Sequence, residues 1–324
     1  MKIIALFLLS LPLLVAAQDT SKTFRHEITF ITDNDDYTFK YTDRYYTNGL
    51  FLKYATAIKD FNAKLNCNTK KILTIELGQQ MFNSYQHDTD YLKTLDRPYA
   101  GLLYLKGGIT KVYENENIFQ WNIQAGTMGP SAKGKEVQRW WHKNFGLPPI
   151  YGWETQLKDE AFLNVQASYH HHLIKQPKEK PWYDAFAFVS GTAGNNLSVI
   201  NAGLQFKIGA FEKAYQSVAW NSRLQKNKQP PGYRRNHEVY FYFEPQLNYQ
   251  FYNAILQGGL FRNDNDKGFY HTSLKPLVFQ YRYGILFAQN HWTVQLGFTF
   301  KTREAKNQIA IENFGTMRLS YRFR

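Results

Sequence analysis

The sequence predicts an all-β fold, a transmembrane antiparallel β-barrel of about 12 strands. Three observations carry that prediction: an apolar leader, a period-two alternation repeated along the chain, and an aromatic content of 17%. Lys2 precedes an apolar run from Ile3 to Val15, and Val15-Ala16-Ala17 has the small residues a signal peptidase needs. Residues 1–17 therefore read as a signal peptide too short to span a bilayer, leaving residues 18–324 as the barrel. Beyond it, no window approaches the ~20 apolar residues of a membrane helix. The mean hydropathy of −0.50 does not argue against a membrane, because alternating lipid-facing and lumen-facing residues cancel in any average. Tyr 23, Phe 25 and Trp 7 are what two interfacial girdles demand.

The alternation is clearest near the C-terminus. Trp292, Val294, Leu296, Phe298 and Phe300 share one face of a strand, and His291, Thr293, Gln295, Gly297 and Thr299 the other. Met317, Leu319, Tyr321 and Phe323 alternate in the same way with Thr316, Arg318, Ser320 and Arg322. A terminal aromatic strand of this kind resembles the C-terminal signal of outer-membrane proteins, although Arg324 follows it. Upstream, Phe119, Trp121, Ile123 and Ala125 oppose Ile118, Gln120, Asn122 and Gln124. Tyr46, Asn48, Leu50, Leu52 and Tyr54 oppose Thr47, Gly49, Phe51 and Lys53, less cleanly.

Strands are expected over 24–33, 45–58, 71–82, 99–112, 117–128, 161–173, 183–193, 197–210, 236–250, 275–289, 290–303 and 312–324. The even number suits closure. Counted from a periplasmic N-terminus, 34–44, 83–98 and 129–160 face the outside, and 211–235 becomes one unusually long inner loop. The competing architecture is a secreted β-sandwich.

A net charge of +13 on a secreted chain points to acidic lipid, such as lipopolysaccharide phosphates, more than to nucleic acid. Cys67 is the only cysteine, which excludes an internal disulfide and a thiolate zinc cluster.

Asp33-Asn34-Asp35-Asp36 concentrates the oxygen donors that a hard cation such as Ca²⁺ takes, although such residues also build ordinary turns. Across the expected hairpin, Asp43-Arg44-Tyr45-Tyr46-Thr47-Asn48-Gly49 returns and brings Thr47 near Asn34 and Asp35. His142 follows Trp140-Trp141 in the third outer segment and is the natural general base, since neutral imidazole takes a proton near pH 7. Two other patterns lead elsewhere. Gly129 to Glu136 matches a phosphate-binding loop until Glu136 replaces the Ser or Thr that would hold Mg²⁺. In His170-His171-His172 only His170 and His172 point the same way and could share a metal. No G-x-S-x-G elbow is present, nor the His-x-Ser-Asn-Gly arrangement of outer-membrane phospholipase A, so hydrolysis through an activated water fits better.

These residues resemble those of the LpxR-type outer-membrane lipid A 3′-O-deacylases. The matching pieces are Asn34-Asp35-Asp36, Arg44 to Leu50, Asp96-Arg97-Pro98-Tyr99-Ala100-Gly101, Gly126 to Gln138, His142, Gly152-Trp153, Gln156-Leu157 and Lys301-Thr302-Arg303-Glu304. They run in order across nearly the whole mature chain. The resemblance implies a monomeric twelve-stranded barrel in the outer membrane, with a site on the extracellular side that hydrolyses the 3′ ester of lipid A with Ca²⁺ as cofactor. It assigns Asn34, Asp35, Thr47 and His142 as essential residues, with Asp35 and Asp36 toward the metal and Arg44, Arg97 and Lys135 toward the substrate. One departure stands out: a functional glutamate of the family falls six residues after the histidine, where this chain has Pro148. Either Glu154 or Asp36 then substitutes to orient His142, or the histidine lacks a carboxylate orienter. The alternatives are a structural barrel that only binds lipopolysaccharide and an outer-membrane phospholipase.

Overall fold

The computed structural model describes residues 24–39, 44–58, 69–85, 95–174, 182–225, 237–268 and 270–324. The expected signal peptide, Asp43, Cys67 and the Pro230-Pro231-Gly232 turn lie outside the described residues. Twelve strands form a closed antiparallel barrel: β1 (His26–Asn34), β2 (Tyr45–Ile58), β3 (Lys70–Asn83), β4 (Ala100–Val112), β5 (Ile118–Met128), β6 (Glu160–His172), β7 (Tyr183–Gly194), β8 (Leu197–Ala210), β9 (His237–Asn253), β10 (Leu277–Gln289), β11 (Trp292–Lys301) and β12 (Glu312–Phe323). Each pairs with its sequence neighbours, and β1 closes on β12 from His26↔Phe323 to Asn34↔Gly315. Closure leaves no edge, so every strand's backbone N–H and C=O groups have partners on both sides, the condition for crossing hydrocarbon. Among the described residues no helix is long and apolar enough to do so.

The alternation read from the sequence sets which face meets lipid. Phe30, Leu52, Leu77, Leu105, Ile123, Leu163, Ile200 and Ile285 point outward and are exposed. Their neighbours in sequence, among them Thr29, Lys53, Glu76, Lys106 and Gln124, point inward. A soluble β-sandwich would bury the first set. Inside, two chambers of about 520 and 410 Å³ share Gln166, Thr192, Asn201 and Gln246 in their walls.

The longer β3–β4, β5–β6, β9–β10 and β11–β12 connections leave their strands at the end opposite the N- and C-terminal strand ends, while 113–117 and 290–291 are short turns at the other end. Outer-membrane barrels place short turns in the periplasm and long loops outside. The exception foreseen after β8 is present and packed rather than loose. Residues 211–225 fold back across the inner end, where Phe211 and Val218 pack on Tyr240, Tyr242 and Leu286. Leu224 bridges to Phe24, and Lys70 donates to the carbonyls of Tyr215 and Ser222 at 2.6 Å each. Buried Glu238 accepts from Ser217 Oγ (2.8 Å) and Val218 N (3.1 Å) and pairs with Arg223 (3.1 Å). This segment plugs the lumen.

One detail of β2 differs from the sequence reading. Pairing with β3 runs Tyr46↔Phe82 and then Asn48↔Met81, so Thr47 is the extra residue of a β-bulge. A bulge moves everything on one side of it to the opposite face. Tyr46 therefore turns into the lumen, where its hydroxyl donates to Asp33 Oδ2 at 2.7 Å, instead of sharing the outward face of Asn48 and Leu52.

Candidate active site

The outer rim of β1 to β4 carries the expected residues on the outward wall, not in the lumen. Asn34 lies on the same face as Phe30 and opposite Asn48, yet both are buried, unlike the exposed leucines below them. Over this part of the wall the 3-10 turn that follows β1 packs on β12 and β2. Asn34 caps a 3-10 turn (Asp35–Thr38), its Oδ1 accepting from Asp36 N at 2.7 Å. Buried Asp35 then turns back toward β2: Oδ2 accepts from Arg44 N (2.9 Å) and Oδ1 from Thr47 Oγ1 (3.2 Å). The bulge makes that last bond possible by aiming Thr47 across the hairpin.

The second part of the site comes from 129–159. Gly129 (φ 96°) and Lys133 (φ 59°) turn the chain down onto β4, and helix α1 (Gly134–Phe145) follows. Gln79 Nε2 on the outward face of β3 holds this turn through Ala132 O at 2.7 Å. The helix seats closely because Gly134 and Gly101 have no side chains to separate them. A Cβ on Gly134 would stand 2.7 Å from Trp153 Cη2 and 3.3 Å from Gly101 Cα. Gly134, Gln138 and His142 recur at four-residue spacing and form the buried stripe of the helix. Gln138 Oε1 accepts from Trp153 Nε1 (2.6 Å) and Asn83 Nδ2 (3.5 Å), which ties the helix to β3 beside the Tyr45 end of β2.

His142 Nδ1 lies 2.6 Å from the carbonyl oxygen of Pro148. A carbonyl only accepts, so Nδ1 is the donor; in the neutral ring this puts the lone pair on Nε2, the tautomer a general base requires. The backbone carbonyl of Pro148 is thus one group that orients the ring. Glu154 is exposed in the 3-10 turn after Gly152, and Asp36 is half-buried in the β1–β2 connection.

The other expected residues divide. Arg44 stays at the site, its backbone on Asp35 and its guanidinium over the Tyr85 ring at 5.1 Å. Lys135 lies in the first turn of α1, half-exposed. Arg97 sits apart, wholly buried, pairing with Glu304 (2.8 Å) and Glu312 (3.5 Å) beside Lys301. Burial raises the Glu304 carboxyl, but the adjacent Lys301 and Arg97 outweigh it and hold its pKa well below the usual carboxylate range. His170 and His172 also part company: His170 meets Trp220 edge-on, while His172 Nε2 pairs with Asp184 at 2.7 Å at the inner end. Glu116, His172 and Asp184 are the one His/Cys/Asp/Glu group of metal-binding size among the described residues, and they lie far from this site along the barrel axis.

The sequence reading passed over Asn83. Its Oδ1 and the Oδ1 of Asn48 are buried acceptors without hydrogen-bond partners among the described residues. Both project from the outward face, on which Leu77, Gln79, Met81 and Asn83 succeed one another along β3. A second polar residue, after Gln79, on a face that otherwise carries Leu77 and Met81 was the available signal. Carboxylate oxygens from Asp35 and orphaned amide oxygens from Asn48 and Asn83 form a hard donor set, the kind Ca²⁺ takes.

A family model described as "Outer membrane protein LpxR" matches residues 3–323. No curated protein matches the sequence. Among solved structures, LpxR from Salmonella typhimurium superposes with a TM-score of 0.73 at 16% identity, covering 92% of this chain and 100% of that one. An outer membrane channel from Pseudomonas putida F1 covers 95% of this chain and 100% of its own at 10% identity, with a TM-score of 0.47. With the family match spanning almost the entire sequence and the barrel matching in fold, the chain belongs to the LpxR family of outer membrane proteins.

Proposed function

We propose that this barrel is a lipid A deacylase that hydrolyses the ester of the 3′-linked acyloxyacyl chain, with His142 as general base. The observation that carries the reading is the position of the buried polar groups. Asn34, Asp35 and Thr47 lie at the outward side of the β1–β2 rim, and His142 is on the buried stripe of α1, which packs on the outward face of β3 and β4; an outer-leaflet lipid would present its ester on this side of the wall and not in the lumen. A channel would need them inside.

In this mechanism His142 Nε2 takes a proton from water as the water oxygen attacks the ester carbonyl carbon. The protonated imidazole then gives that proton to the departing 3′ oxygen of the sugar, releasing a free fatty acid and a 3′-hydroxyl. The Pro148 carbonyl holds the ring through both transfers. Bound Ca²⁺ would supply the positive charge that stabilises the developing oxyanion. Asp35 with Asn48 and Asn83 would hold it, with Asp36 at the margin, while Thr47 fixes the Asp35 carboxylate. Arg44 and Lys135 are assigned to the substrate side, and Arg97, buried in its pairs with Glu304 and Glu312, would support the rim from within. The protein is proposed to act as a monomer, its apolar belt facing lipid.

Mass spectrometry of lipid A from cells with and without the protein tests the reading. Loss of one ester-linked acyloxyacyl substituent supports it; unchanged lipid A with new lysophospholipid, or binding without any mass change, overturns it.

A further inference from the structure

Helix α1 carries three stripes, and catalysis uses only one of them. Gly134, Gln138 and His142 are buried against the wall. One residue on, Lys135, Arg139 and Lys143 repeat the same four-residue spacing and so line the adjacent flank. One residue back, Val137, Trp141 and Phe145 line the other flank, the last two with ring centroids 4.5 Å apart. Phe145 and Trp140 are exposed.

The three cations have no acidic partner among the described residues. The single carboxylate of the helix, Glu136, faces Lys133 at 3.6 Å instead. Three like charges one turn apart repel one another and are held there by a helix whose buried stripe lies beside them. None of the described residues neutralises them, so their complement is an external anion. The position of the helix selects its source. It lies outside the wall at the outer rim with exposed aromatic residues, the composition of a helix resting at the headgroup level.

We propose that Lys135, Arg139 and Lys143 form a phosphate-recognition stripe that binds a phosphate group on the saccharide headgroup of an outer-leaflet glycolipid, while the acyl chains pass the Trp141–Phe145 flank. This rests on the deacylase reading for the identity of the lipid, but not for its test. The stripe fixes the sugar relative to His142, so it governs which lipid is held rather than how fast the ester breaks.

The experiment measures binding of the purified full-length barrel in detergent micelles to phosphorylated glycolipid and to the same lipid after phosphatase treatment. Tryptophan fluorescence reports binding, with chelator present so that cation bridges do not contribute. Wild type prefers the phosphorylated lipid, and K135Q/R139Q/K143Q lowers that preference about tenfold, the size of three exposed ion pairs acting together. The preference weakens as salt rises. Arg139→Lys retains it. Equal binding of both lipids by the wild type, or an undiminished preference in the triple variant, overturns the proposal. Because the readout is binding, a barrel that recognises phosphate but never hydrolyses lipid A sinks the deacylase reading and leaves the stripe intact.

Discussion

Replacing His142 tests the mechanism at its centre. A positioned general base contributes roughly 10²- to 10⁴-fold. At about 1.4 kcal/mol per tenfold, that is about 3–5 kcal/mol of barrier. His142→Ala also removes the 2.6 Å bond from Nδ1 to the Pro148 carbonyl, a neutral hydrogen bond of about 0.5–1.5 kcal/mol that helps close the end of α1. The two losses are separable with His142→Asn. Its side-chain Nδ2 stands where Nδ1 stood and still donates to Pro148, but nothing occupies the place of Nε2. Both variants should fold, since the barrel's twelve paired strands do not include α1, and heat-modifiable gel migration checks that. Both should lose at least about 10² in the initial rate of lipid A mass loss, followed by mass spectrometry with Ca²⁺ present. Recovery of the rate to within about tenfold of wild type by His142→Asn alone would refute the base assignment and leave His142 as a brace for the helix.

The remaining predictions concern the groups around it. Thr47→Val leaves buried Asp35 without its 3.2 Å donor, a cost of roughly 1–3 kcal/mol, and should weaken Ca²⁺ binding seen by terbium luminescence, whereas Thr47→Ser keeps it; equal affinities would show that Thr47 does not set the carboxylate. Chelation should stop turnover reversibly with the β-sheet circular dichroism unchanged, and full turnover in EDTA would count against any cation at Asp35, Asn48 and Asn83. Gly134→Ala drives a methyl group to 2.7 Å from Trp153 and should cost about 1–3 kcal/mol in the seating of α1, read as lost activity in a barrel that still resists denaturation. Glu238→Ala removes the carboxylate that Ser217, Val218 and Arg223 share, a loss of roughly 1–3 kcal/mol, and should expose 211–225 to protease and raise ion conductance; a silent variant would mean the plug is held elsewhere.

Much of the architecture was legible because a strand's period of two is a local property. The ranges 45–58 and 197–210 read from alternation are the observed β2 and β8, and β9 differs mainly in running on to Asn253. Asn34, Asp35 and Thr47 were also legible as neighbours, since a hairpin converts sequence distance into contact. Tyr46 was not, because a bulge reverses inside and outside without changing the alternating pattern that precedes it. The orienter of His142 was hidden for a different reason: the group is a main-chain carbonyl, and every residue has one.

What the sequence determined by itself is therefore the barrel, its strand count and the chemistry available at the outer rim. Only the tertiary structure decided that this chemistry stands on the lipid side of the wall, that Arg97 is drawn into a buried pair with Glu304, and that 211–225 closes the lumen. These depend on register, on how closely two glycines let a helix approach, and on charges far apart in the chain meeting across the barrel, none of which leaves a periodic trace in the order of residues.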